Sequence, residues 1–189
     1  MKKSILAVIA ALCVAALALA ACGGGGGNSG GGNGGGGGKA ETYEVGSFTV
    51  AVPSGWTVYP QSDIFGEKDA EGNYPVDPDS IFLAKGASSE FDAYGKPNVR
   101  IYWYDPKTTV LDLKSIYDDV EDLTGITING VECTGYAATS MGYRYDFIHY
   151  QTDDMQWECQ VLVSVDGEET GVTWEDADVQ TILSSIAAQ

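Results

Sequence analysis

The sequence predicts an α+β domain: an antiparallel sheet of about six strands, with one α-helix in the middle of the domain and another at its end. Three observations predict it. Short stretches of alternating apolar and polar residues are broken by Gly, Pro, Asn-Gly or Asp-Gly, the pattern of hairpin strands. Two stretches change to the 3.6-residue period of a helix. Strands also follow strands directly, where an α/β protein would alternate them with helices.

The chain opens with a leader. Met1-Lys2-Lys3 is basic, and the 17 residues from 5 to 21 carry no charge. A membrane span needs roughly 20 such residues, so this run reads as a secretory signal. It ends in Leu19-Ala20-Ala21-Cys22, which resembles the bacterial lipobox of Leu, two small residues and Cys. The resemblance implies cleavage before Cys22 and a diacylglyceryl group on its thiol. Residues 23–39 hold 13 glycines and no apolar side chain. Such a stretch behaves as a flexible coil with an r.m.s. reach of about 22 Å. The expected organisation is a signal peptide over 1–21, a lipidated Cys22 with its glycine-rich tether over 22–42, and one domain over 43–189. The expected location is the outer face of the cell membrane, with contact to the membrane only through the lipid.

Charge narrows the partners. There are 27 acidic residues, and eight basic ones remain once Lys2 and Lys3 leave, a balance of −19. Nucleic acids and anionic lipid surfaces both demand basic patches, so both are excluded as expected partners.

Within the domain, alternation predicts a strand over 43–52, stopped by Pro53-Ser54-Gly55, and a second over 56–59. Residues 61–80 read as an acidic loop. Strands follow at 81–84 and 99–104. Leu113, Ile116, Tyr117, Val120 and Leu123 then fall at helical spacing, with acidic residues between them, and predict a helix over 110–124. Asn129-Gly130 marks a turn into three strands, 131–139, 142–151 and 155–165. Register on paper asks for a three-residue loop or a bulge in the last hairpin, since a two-residue loop would place Val161 opposite Asp146. Val179, Ile182, Leu183 and Ile186 predict the terminal helix, introduced by Thr173 and Asp176.

Chemistry-bearing residues are few. His149 is the only histidine, and no G-x-S-x-G elbow accompanies it, so the domain is expected to be non-enzymatic with no catalytic residue. Cys133 and Cys159 are either a disulfide or two buried thiols. The exported location favours the bond, whereas placement on the two outer strands of a meander would separate their Cα atoms by roughly 10 Å, too far to bridge. Cys133, His149 and Cys159 match no zinc spacing. Asp69, Glu71, Asn73, Asp77 and Asp79 faintly resemble a calcium loop, without its glycine or its closing glutamate. No cofactor is expected, and no metal beyond those weak calcium candidates. Tyr102, Trp103 and Tyr104 are consecutive, so at least one faces away from the core and suggests a partner surface.

The opening FTVAVPSGW, with Pro53, Gly55 and Trp56, resembles the start of PsbP-like domains, which share a fold with a small Ran-binding nuclear import factor. The later order of helix, Gly-led strand, long hairpin and final helix is similar too. This resemblance implies a sheet packed between two or more helices. It also implies a role in binding or assembly on larger complexes. The leading expectation is therefore a lipid-anchored binding or assembly module for an envelope protein. The alternative is a solute- or calcium-binding lipoprotein, and the third is an envelope hydrolase.

Overall fold

The computed structural model describes residues 39–189. The leader, Cys13, the lipobox with Cys22 and the glycine-rich stretch to residue 38 lie outside the described residues. Strand makes up 48% of the structure and helix 10%, which overturns the expected α+β sandwich and the sheet between helices that the PsbP-like resemblance implies. Among the described residues no helix is long and apolar enough to cross a membrane.

A hairpin of β1 (Glu41–Glu44) and β2 (Phe48–Val52) comes first. Alternation predicts one strand here. The break falls at Gly46, where an added Cβ would meet Pro78 Cβ at 2.6 Å, so only glycine lets the two segments approach. Next come β3 (Trp56–Ser62), β4 (Val76–Lys85), a single turn of helix α1 (Glu90–Ala93) and β5 (Asn98–Tyr104). After a loop, β6 (Asp118–Leu123) leads to the small pair β7 (Thr127–Ile128) and β8 (Val131–Glu132). Then follow β9 (Thr134–Ser140), β10 (Tyr143–Gln151), β11 (Gln156–Val165) and β12 (Glu168–Glu169). Helix α2 (Ala177–Ser184) and β13 (Ala187–Ala188) close the chain.

The main sheet has eight strands in the order β3-β4-β5-β11-β10-β9-β6, with β12 paired to β11 beyond the reach of β5. Every pairing is antiparallel. Side chains alternate between its two faces. One face carries Leu83, Ile101, Ile148 and Cys159, and is covered by α2 and the three-stranded sheet β1-β2-β13. Phe48 of the cover stacks on Trp103 at 5.4 Å, and Tyr150 stacks on Trp157 at 4.9 Å. The Trp56 indole donates to Asp178 Oδ2 at 3.0 Å, and Lys85 pairs with the same oxygen at 2.7 Å, so the start of α2 is fastened to β3 and β4. The predicted terminal helix is thus present, with Val179, Ile182 and Leu183 buried. This is the core face. The opposite, tyrosine face is only partly covered.

The predicted middle helix is absent. Lys114–Ile116 is one 3₁₀ turn, and 118–123 is the edge strand β6. Tyr117 packs against Tyr136 and Phe147 on the tyrosine face, whereas Leu123 packs into the core cluster on the other. A pattern that looks like one helical stripe therefore serves both sides of a sheet. A bulge between Asp118 and Glu121, with Asp119 at φ 50°, lengthens the repeat of two toward the helical three or four. Aspartate is also a poor helix former, and acidic residues on an edge strand oppose pairing with another chain.

The last hairpin also departs from expectation. Its connection is four residues, 152–155, closed by Thr152 N–H donating to the Met155 carbonyl at 2.8 Å. Val161 does stand opposite Asp146. The even loop groups Trp157, Cys159 and Val161 with Ile148 and Tyr150, leaving Tyr145, Phe147 and His149 on the other face with Glu158, Gln160 and Leu162. A bulge exists at Arg144/Tyr145, too far along to change this register. Asp146 is accommodated on the core face because the Trp174 N–H donates to it at 3.4 Å, and burial raises its pKa.

Candidate functional site

The tyrosine face is built from rows that cross the strands. One runs Thr134, His149, Glu158, Tyr102, Ser80 across β9, β10, β11, β5 and β4. The next runs Tyr136, Phe147, Gln160, Arg100, Phe82 across the same strands. At the β4 end, Ala93 of α1 and the following Tyr94 cover Phe82 and Ala84. At the β9 end, the segment 105–117 crosses over the sheet as a roof. Beneath it is a cavity of about 220 Å³, lined by roof residues Val110, Leu111, Asp112 and Lys114 and by sheet residues that include Tyr136, Phe147, His149 and Glu158.

Gln156 holds the roof in place. This side chain is buried on the tyrosine face between His149 and three roof carbonyls. Only one orientation of its amide gives every group a complement. In it, Nε2 faces the carbonyls of Asp105 at 3.1 Å and of Pro106 and Thr108 at 3.2 Å, while Oε1 accepts from His149 Nε2–H at 2.9 Å. His149 is thereby held as the Nε2–H tautomer, and burial lowers its pKa. Gln151 adds a donor to the Pro106 carbonyl at 3.4 Å.

Glu158 is the unusual group. It occupies the central strand β11 between β5 and β10, packed nearly all round but with an opening toward the cavity. Among the described residues it has no hydrogen-bond or ion-pair partner. Desolvation pushes its carboxyl up to about 7. Burial raises the phenols of Tyr104, Tyr117 and Tyr136, and the nearby Glu158 charge adds to each, with Tyr117 pushed up to about 12. Tyr136 stacks on Phe147 at 4.8 Å, and Tyr117 leans on both rings.

The other buried charge, Arg100, is turned away from this cavity. Its guanidinium lies 4.6 Å over the Phe82 ring and 4.8 Å over the Tyr94 ring, with Nε unpartnered. Desolvation works against its charge, and the surrounding phenols of Tyr102, Tyr145 and Tyr94 more than offset it. Arg100 thus has an aromatic and phenolic shell, whereas Glu158 has no compensating charge.

The residues singled out from sequence fall as follows. Tyr102 and Tyr104 reach the tyrosine face, while Trp103 turns into the core against Phe48, so the three do not form one patch. Cys133 and Cys159 are both free and buried, and desolvation raises both thiols. Cys159 is on the core face and His149 on the other, so the sheet itself stands between them. In the acidic loop, Asp69 accepts from the N–H groups of Glu71 at 3.0 Å and Asn73 at 2.8 Å, and from Asn73 Nδ2 at 3.1 Å. These bonds lower its pKa and turn its oxygens toward its own loop. Asp77 likewise accepts from the Asp79 N–H and the Ser80 hydroxyl, and Asp79 accepts from Ser47. Among the described residues no three His, Cys, Asp or Glu side chains converge as a metal site.

Sequence reasoning missed Glu158, Gln156 and the roof. The signal was the alternation Gln156, Glu158, Gln160 against Trp157, Cys159, Val161. A central strand with one polar face announces a second, functional surface, but only once the strand is known to be central.

No family model and no curated protein matches the chain. A solved structure from Bacteroides thetaiotaomicron VPI-5482 aligns over 79% of this chain with a TM-score of 0.45 and 11% identity. The chain spans 48% of that protein's length.

Proposed function

We propose that this chain is an extracytoplasmic lipoprotein, held on the outer face of the cell membrane by acyl chains on Cys22, whose domain is a non-enzymatic binding module. Its binding site is the roofed end of the tyrosine face. The observation that carries this reading is Glu158: a carboxyl desolvated without a partner, at the floor of a cavity with aromatic walls. Leaving a charge unpaired costs stability, and such a cost is usual where a ligand completes the site. The single histidine supports a non-enzymatic role, because its Nε2–H is engaged by Gln156 in holding the roof.

Two measurements test the reading. Cells fed an alkyne palmitate analogue carry the label on this protein, and Cys22→Ala removes the label and releases the protein from membranes. A photo-crosslinker placed at Leu111, exposed at the rim, forms a defined adduct in the envelope that one at Glu41 does not. Absence of the acyl label, or identical adducts from both positions, overturns the reading.

One observation favours a second reading, an envelope hydrolase. Asp112 lines the same cavity as Glu158, and a carboxyl held near neutrality suits a general acid. Hydrolysis of an envelope substrate that is lost in Glu158→Gln would favour this reading over the first.

A further inference from the structure

The tethered-module reading leaves the ligand unnamed, and the cavity's chemistry narrows it. The geometry points to a small organic cation, an ammonium group that seats against Glu158 and the aromatic wall of Tyr136 and Phe147. This inference rests on the binding-module reading and gives its ligand class.

Four observations converge on it. First, the floor carboxyl is half-buried with no partner among the described residues, whereas Arg100 has its own aromatic and phenolic shell and faces the other way. A cation supplies what Glu158 lacks, whereas a neutral ligand leaves a desolvated carboxyl unpaired. Second, the wall is aromatic: the Tyr136 and Phe147 rings line the cavity, stacked on each other at 4.8 Å. The fold already sets an ammonium over one of them: Lys114 Nζ lies 5.3 Å over the Tyr136 ring at the rim. That lysine is itself tied to Asp122 at 2.5 Å, so it does not neutralise the floor. Third, Asp112 and Lys114 balance each other at the rim, and the whole chain carries a formal charge of −17, a field that draws in cations and repels anions. Fourth, the space under the roof is small, so only the head group of a ligand that extends out of the mouth would sit in it. At about 220 Å³ the cavity falls below the roughly 300–1,000 Å³ of pockets for drug-sized molecules, and fits a head group rather than a chain of sugars.

The test uses the full chain in non-ionic detergent, with choline and its uncharged isostere 3,3-dimethylbutan-1-ol as probes. Calorimetry and tryptophan fluorescence read the binding. Choline is expected to bind saturably and about tenfold more tightly than the isostere, the scale of pairing with a partly desolvated carboxylate. Glu158→Gln is expected to erase that preference while the near-ultraviolet circular dichroism stays native. The comparison of the two probes on the unmodified chain needs no variant, so a poorly folding variant does not shield the idea. Equal affinity for both probes, no saturable choline binding, or a preference that survives Glu158→Gln in a native fold overturns it. The broader reading fails by different results, the missing acyl label or the position-independent adducts, so the two failures are told apart.

Discussion

Replacing Glu158 by Gln should stabilise the domain at alkaline pH and leave it nearly unchanged in acid. The carboxyl titrates at its ordinary 4.5 in the unfolded chain and at about 7 in the fold, because burial penalises the charged form. An acid whose folded pKa is raised binds more protons in the fold than in the unfolded chain between those two values. Stability therefore falls as pH rises from 4.5 to 7 and stays low above it. The 2.5-unit difference corresponds to about 3 kcal/mol. The opening toward the cavity admits solvent, so about 3 kcal/mol is the upper bound. Gln keeps the shape and cannot ionise, so the penalty disappears. Urea unfolding followed by tryptophan fluorescence, on both proteins at pH 4.5 and 8.5, measures it. The gain from Glu158→Gln should be about 2–3 kcal/mol larger at pH 8.5 than at pH 4.5. A gain that is the same at both pH values, or a loss at pH 8.5, would refute the claim that Glu158 is desolvated and unpaired.

Gln156→Ala removes the amide that faces three roof carbonyls, and is expected to cost about 1–3 kcal/mol and to speed tryptic cleavage after Lys107 several-fold; unchanged cleavage would mean the roof is held by something else. Gly135→Ala adds a Cβ that would stand 2.6 Å from Ile126 Cδ1 and 2.8 Å from the Phe147 carbonyl oxygen, so a loss of about 1–3 kcal/mol in the urea titration is expected. Cys133 and Cys159 should resist a maleimide in the native protein and both react in urea without reductant, as peptide masses would show; protection that persists in urea would indicate a disulfide.

Much of the β-structure was legible in residue order. The strand at 99–104 and the two long hairpin strands were announced by alternation, and α2 by Val179, Ile182 and Leu183 at helical spacing. What misled was periodicity without knowledge of layers. Tyr117 and Leu123 look like neighbours on one stripe and pack on opposite faces of the sheet, because a bulge in β6 changes the strand repeat. The sheet also has two faces that carry aromatics, so keeping Val161 away from Asp146 asked for the wrong loop; the four-residue turn decides the register instead. The site was the least legible part. Glu158, Gln156 and the roof loop are far apart in sequence or unremarkable in type, and they become a site only when β11 lies in the middle of the sheet beneath residues 105–117. The conspicuous acidic loop satisfies its own backbone instead.

The central claim concerns one carboxyl, and a carbon-13 NMR titration of the Glu158 side chain tests it most directly, with Glu158→Gln assigning the signal. A desolvated carboxyl without a partner gives a midpoint near 7 that moves lower when choline is added. A midpoint near 4.5, indifferent to choline, would contradict it.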